Sequence, residues 1–222
     1  LYTDMNAVRR DEDLDNMHSV YVDQWDWEKV ITREGRSFET LKSAVRSVMY
    51  ALRKTQDVLC HRFTALERYL PEGIHFITSQ ELEDLYPEKT PKQREDAVAE
   101  KYGAVFISQI GGALRSGRPH DGRAPDYDDW SLNGDILIWY PVLGHAFEIS
   151  SMGIRVDAES LRRQLAIAGC EERAALPFHR KLLENQLPLT MGGGIGQSRI
   201  CMALLQKAHI GEVQASVWSD EM

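Results

Sequence analysis

Gln24, Asp26 and Glu28 alternate with Trp25 and Trp27 in the run Val20-Tyr21-Val22-Asp23-Gln24-Trp25-Asp26-Trp27-Glu28. β-Branched or aromatic residues taking turns with polar ones give the period of two that marks a strand. The three polar side chains then stand in one row, with Trp25 and Trp27 turned the other way into core. A carboxylate such as Asp26 accepts from an ammonium, and an amide such as Gln24 donates to a carboxylate, so the row suits a small zwitterion. A solvated strand face is the plainer reading of the same pattern.

Two later stretches carry complementary groups. Phe147-Glu148-Ile149-Ser150-Ser151-Met152-Gly153-Ile154-Arg155 combines a carboxylate, two hydroxyls, a glycine that opens space and an arginine. Glu148 suits Mg²⁺, and Arg155 can hold a substrate carboxylate through two parallel hydrogen bonds. Gly192-Gly193-Gly194-Ile195-Gly196-Gln197-Ser198-Arg199 leads into the apolar Ile200-Cys201-Met202-Ala203-Leu204-Leu205. Glycines there let a flat ligand approach the backbone, and an arginine in the first helical turn adds charge beside exposed N–H groups, which fits an anion or a nucleotide. No Lys-Ser or Lys-Thr follows, so this is not a P-loop, and the glycine spacing is not that of a dinucleotide fold. Asp126, Asp128, Asp129 and Asp135 add carboxylates nearby in sequence.

The elements that must position these groups are legible as patterns. Leu1 to Val8 and Val20 to Trp27 read as a hairpin around a charged loop that begins at Arg9. From Phe38 to Leu70 apolar residues recur every three or four positions, as one stripe of a long helix requires. His75 to Thr78 is a short strand, and Ser79 is set to cap a helix over Gln80 to Leu85. Pro91 to Tyr102 reads as a helix with Gly103 past its end. Strands are expected at Ala104 to Ile110, Asp135 to Tyr140, Ala146 to Ile149 and Val213 to Trp218, and helices at Ser160 to Ala168, Ala174 to Asn185 and Gly196 to Gln206. Helices inserted between hairpin-like strands point to an α/β fold of the α+β type, an antiparallel β-sheet flanked by helices.

The whole chain, residues 1–222, is long enough for one domain with a substantial core. It has 26 basic against 34 acidic side chains and a formal charge of −8, which leaves no polybasic footprint for nucleic acid. No apolar run of roughly 18 residues is present and no leader opens the chain, so a soluble, intracellular protein is expected. Cys60, Cys170 and Cys201 lack zinc-ligand spacing and read as buried thiols. The chain opens at Leu1 and not at Met, which reads as a piece lacking its first part.

Together these segments resemble the catalytic core of class II aminoacyl-tRNA synthetases. Arg9 and its loop look like the motif 2 arginine and ATP loop, and Gly192 to Arg199 looks like motif 3. Within that superfamily the wording is closer to the ammonia-dependent, AMP-forming asparagine synthetases, the aspartate–ammonia ligases. His18 to Glu28, Arg123 to Trp130, Leu132 to Asp135, Ser150 to Arg155 and Gly192 to Arg199 read as that family nearly verbatim. Departures are Arg10 where the family usually has Pro, and the lack of an extra loop between Ser131 and Leu132.

The resemblance implies that aspartate is adenylated by ATP at its side-chain carboxylate, with loss of pyrophosphate, and that ammonia displaces AMP. It assigns catalytic roles to Arg9 and Arg199, and aspartate binding to Gln24, Asp26, Ser150, Ser151 and Arg155. ATP binding falls to Arg9, Ser19, Asp128, Asp135, Glu148, Gly194, Gly196 and Arg199, and Mg²⁺ to Asp135 and Glu148. It further implies a cytoplasmic homodimer acting on aspartate, ammonia and ATP, with no nucleic acid and no membrane as partner. The alternatives are the catalytic domain of an aspartyl-, asparaginyl- or lysyl-type tRNA synthetase, and a catalytically silent paralogue that binds an amino acid.

Overall fold

The structure, a computed structural model, describes residues 1–218. Seven strands form one sheet: β1 (Tyr2–Val8), β2 (Tyr21–Val30), β3 (His75–Thr78), β4 (Ala104–Ser108), β5 (Asp128–Tyr140), β6 (His145–Arg155) and β7 (Thr190–Gly196). Their order across the sheet is β1-β2-β7-β6-β5-β4-β3. The helices are α1 (Phe38–Arg62), α2 (Ser79–Leu85), α3 (Pro91–Tyr102), α4 (Ala158–Ala168), α5 (Pro177–Leu183) and α6 (Gln197–Leu204).

The expected antiparallel sheet needs one correction, because β3 and β4 pair in parallel while the other neighbours run antiparallel. The cause is the connection: α2 and α3 fill the chain between these strands, and a crossover of that length returns the second strand in the same direction. The sheet is therefore mixed, in an α/β fold.

Helices cover both faces. On one, α1 buries Leu41, Val45, Met49 and Leu52 against Phe106, Ile136, Ile138, Met152 and Ile154, joined by Met202 and Ala203 of α6. Leu41 and Val45 are fully buried, each worth roughly 1.5–3 kcal/mol of hydrophobic stabilisation. On the other, Leu82 of α2 and Val98 of α3 pack on Val105, Ile107 and Leu137. Further along, Leu161 and Leu165 of α4 meet Leu182 of α5 and Val156. Trp27 packs against the first core as expected, but Trp25 is 42% exposed.

Several boundaries differ from the sequence patterns. α1 stops at Arg62, and Tyr69 and Leu70 then donate their backbone N–H groups to Gln56 Oε1, which replaces the last turns of the expected helix. Thr78, not Ser79, caps α2 in a reciprocal box with Glu81. Pro177 begins α5, so only Pro177–Leu183 of the expected helix over Ala174 to Asn185 is α-helical. β5 begins at Asp128 within the acidic stretch, β6 continues to Arg155, and the glycines of Gly192 to Gly196 lie in strand β7. Val213 to Trp218 is not a strand; a 3₁₀ turn over Ile210–Glu212 precedes it. Cys60 and Cys170 are half-buried and Cys201 is exposed, so the expected buried thiols are not found.

Candidate active site

One row of cross-strand partners forms the floor of the site. Asp26 on β2 faces Gly194 on β7, Gly194 faces Ser151 on β6, and Ser151 faces Asp135 on β5. Directly opposed residues share a sheet face, so two carboxylates stand at the ends of a line with a hydroxyl and a bare backbone between them. Three strand spacings set Asp26 and Asp135 about 14 Å apart.

The glycines of β7 are what let the line lie flat. A Cβ at Gly194 would stand 2.7 Å from Asp26 Oδ1, and one at Gly192 would run into Glu28 Oε2, Trp27 O and Arg155 Nη2. Any side chain at these two positions would displace the polar groups that cross the strand.

Arg155, at the end of β6, reaches over that gap and is held on three sides. Its Nε and Nη2 donate to Glu28 at 3.1 and 2.8 Å, and its Nη1 donates to Asp128 Oδ1 at 2.6 Å. The Tyr127 ring lies over the guanidinium, 4.0 Å from carbon to centroid. Burial alone would weaken the Arg155 charge, but Glu28 and Asp128 outweigh it and hold its pKa above the ordinary value. Burial raises the Asp26 carboxyl, opposed by Arg155, and also raises that of Asp128 against the pull of the same guanidinium.

At the other end of the row a β-bulge aims a second carboxylate inward. Ile136 pairs with Ser150 but Leu137 pairs with Glu148, so Ile149 is an extra residue on β6. Glu148 and Ser151, three apart, would otherwise point to opposite faces; the bulge brings both to the cleft. Asp135 is raised to about 7, by burial and then by the charge of Glu148. Arg123 takes one Asp135 oxygen while Asp135 Oδ1 has no partner among the described residues. Two carboxylates with an open oxygen fit a hard divalent cation. No group of three or more His, Cys, Asp or Glu side chains converges among the described residues, so the pair suits a cation that completes its shell with substrate and water.

The cleft beside the row has a volume of about 370 Å³ and is lined by Arg9, Arg123, Tyr127 and Arg199 among others. Arg199 Nη1 donates to Glu148 O at 3.2 Å and stands 3.8 Å from its carboxylate. Asp23 anchors the start of α6, accepting from Ser198 N at 3.1 Å and Ser198 Oγ at 2.6 Å. Arg9 lines the cleft, paired with Glu12 at 3.1 Å, whereas Arg10 turns outward to Asp11.

Gln24, Asp26, Ser151, Glu148, Arg9 and Arg199 thus line one cleft, together with Gly194 and Gly196; Asp135 stands behind Arg123, and Arg155 behind Asp128 and Tyr127. Ser150 is buried, its hydroxyl donating to Gly194 O at 2.8 Å. Ser19 is buried and bonded to Ser216. Asp128 stands on Arg155, at the far end from Arg199. Asp126 and Asp129 are engaged elsewhere, with His179 and Arg173 and with Arg36 and Arg163. Asp23, Arg123, Tyr127 and Gln214 line the cleft without having been singled out from sequence patterns; only their partners, distant in the chain, give them away.

Residues 1–222 match the family model described as aspartate-ammonia ligase. The chain belongs to the aspartate-ammonia ligase family. An aspartate–ammonia ligase of Clostridium perfringens is 64% identical over 222 residues, all of this chain and 66% of that protein. One of Levilactobacillus brevis is 60% identical over the same extent. The chain therefore spans about two-thirds of the length of these curated ligases. Among solved structures, an aspartyl-tRNA synthetase of Entamoeba histolytica superposes with a TM-score of 0.72 at 15% identity, covering 100% of this chain and 48% of that one. The asparaginyl-tRNA synthetase of Pyrococcus horikoshii complexed with asparaginyl-adenylate does so with 0.68 at 14%, covering 98% and 53%. These likenesses show that the ligase-family chain has the class II synthetase fold.

Proposed function

We propose that this chain carries the site of an ATP-dependent ligase that makes L-asparagine from L-aspartate and ammonia. The side-chain carboxylate of aspartate attacks the α-phosphate of ATP, forming β-aspartyl adenylate and expelling pyrophosphate; ammonia then attacks the acyl carbon, releasing AMP. The observation that carries the reading is Arg155, braced over a glycine-floored row with an ammonium acceptor at one end and a carboxylate pair at the other.

The geometry supports a role for each residue. Arg155, with the Gln24 amide, holds the α-carboxylate, and Asp26 accepts from the α-ammonium. The β-carboxylate then points along the row past Ser151 towards Asp135 and Glu148. Ser150 fixes the β6–β7 backbone beneath. Arg9 neutralises charge developing at the α-phosphate, and Arg199 serves the rest of the nucleotide from the start of α6. Gly194 and Gly196 leave room for it, and Ser19 supports that wall. Asp128 braces Arg155. Asp135 and Glu148 are the residues that would hold Mg²⁺, which would supply neutralisation of phosphate charge. The chemistry requires orientation and charge stabilisation more than a covalent nucleophile.

The reading extends to a cytoplasmic homodimer acting on small molecules, with neither nucleic acid nor membrane as partner. No helix among the described residues is long and apolar enough to cross a membrane. The deciding experiment supplies ATP, aspartate and ammonium, with and without tRNA, and assays AMP, pyrophosphate and asparagine. Asparagine formed without tRNA is expected; amino acid loaded onto tRNA, or nucleotide cleaved to ADP, overturns the reading.

A further inference from the structure

The acidic run Asp126-Tyr127-Asp128-Asp129 gives Arg155 one carboxylate, that of Asp128, and the reaction above leaves the rest of the run without a task. The sheet supports this run poorly. Asp128 is in register with Arg155, but β5 and β6 fall out of step from there to Asn133. A side chain on α4 supplies the missing support. Gln164 is 1% exposed; its Nε2 donates to Pro125 O at 2.9 Å and to Asp128 O at 3.0 Å, and its Oε1 accepts from Trp130 N at 2.9 Å. Carbonyls only accept and a backbone N–H only donates, so the amide has one orientation, with both of its N–H bonds and its oxygen engaged. At the ends of the run Asp126 meets His179 Nε2 at 2.9 Å, and Asp129 accepts from Arg36 Nη2 at 2.7 Å.

What the amide holds still is the wall of Arg155. The Tyr127 ring, 4.0 Å from the guanidinium carbon, and Asp128, 2.6 Å from Nη1, both belong to the stretch that Gln164 spans. A stacked ring and a charge-assisted hydrogen bond need placement to within about 0.5 Å to orient a binding group. We propose that Gln164 is a positioning residue for the amino-acid end of the site: by spanning Pro125 to Trp130 it sets Tyr127 and Asp128 against Arg155, and through them the affinity for aspartate. Two donors and an acceptor in one plane are what the three backbone groups require. Glutamate lacks the donors and methionine lacks both. Gln164 does not line the cleft, so its effect reaches the substrate only through these two neighbours. The proposal rests on the aspartate reading of Arg155 given above and adds the residue that sets its geometry.

The test is aspartate-dependent pyrophosphate exchange with ATP in wild type, Gln164→Met, Asp128→Asn and the double variant. Gln164→Met is expected to raise the KM for aspartate about tenfold while the KM for ATP stays within about twofold. Because the effect passes through Asp128 and Tyr127, adding Gln164→Met to Asp128→Asn is expected to raise the KM for aspartate by less than about threefold further. A purely structural role would lower the urea midpoint and the active fraction and leave both KM values where they are in wild type. An unchanged KM for aspartate, an equal rise in both KM values, or the full tenfold effect on top of Asp128→Asn overturns the proposal. If Gln164→Met does not fold, Gln164→Glu decides by the same split, since it keeps the acceptor for Trp130 N and loses the donors to Pro125 and Asp128. Exchange in wild type keeps the two claims apart: its absence fails the aspartate reading and this proposal with it, and its presence with an unmoved KM in the variants fails only this one.

Discussion

Arg155 and Glu28 sit on strands that are not neighbours, and they meet across the bare backbone of Gly192, with Glu28 Oε2 2.8 Å from Arg155 Nη2. The bond fixes the guanidinium proposed to meet the substrate carboxylate. Glu28→Gln keeps the shape but removes the charge that orients and neutralises Arg155. The expected result is a KM for aspartate raised about tenfold with the KM for ATP little changed, measured by pyrophosphate exchange. Arg155→Lys is expected to cost more, because an ammonium cannot serve Glu28, Asp128 and a substrate carboxylate in one plane.

Gly194→Ala tests the floor of the row. Its Cβ would stand 2.7 Å from Asp26 Oδ1, so either the strand or the carboxylate must move. A loss of roughly 1–3 kcal/mol in stability is expected in urea titration, the usual cost of overpacking a tight site. Aspartate affinity should fall further than ATP affinity if Asp26 holds the amino acid as proposed.

The loop arginines separate by placement. Arg9 lines the cleft and is held by Glu12, while the Arg10 side chain is 89% exposed and bonded to its neighbour Asp11. Arg9→Ala is expected to lower adenylation on the order of a hundredfold or more, as removal of a charge-stabilising donor does. Arg10→Ala should stay within about twofold, the ordinary consequence of an exposed pair. Steady-state exchange rates for the two variants check both, and similar losses would contradict the assignment.

What the sequence made legible followed from periodicity. The row of Gln24, Asp26 and Glu28 is readable because a strand alternates with a period of two, and the α1 stripe because a helix repeats near 3.6. The same rule misleads at Glu148, where an unmarked bulge at Ile149 resets the alternation and puts Glu148 beside Ser151. The glycines from Gly192 resemble a turn, and only the Asp26 and Arg155 side chains crossing over them explain why strand β7 carries so few side chains of its own. Arg123 and Gln214 are known only through partners on other elements, Asp135 for one and Ser198 and Asp23 for the other. The parallel pairing of β3 with β4 likewise depends on where a crossover returns, which local patterning does not encode.

Asp135 gives the protein a pH dependence whose sign is set by burial. Its carboxyl, ordinarily near 3.8, is raised to about 7 by burial and by Glu148, so between those values the folded protein holds a proton that the unfolded chain has lost. Stability from this group is present below the lower value and declines as pH rises to the upper one. Wild type without ligands is therefore expected to lose roughly 1–3 kcal/mol between pH 5 and pH 8 that Asp135→Asn does not lose, read from urea midpoints at the two pH values. Mg²⁺ with ATP competes with that proton, so the ligand-induced rise in Tm should be larger at pH 8 than at pH 5 in wild type, and the variant should lose that difference. An identical pH slope in wild type and variant would show that the Asp135 carboxyl titrates in its ordinary range and that Arg123 alone neutralises it.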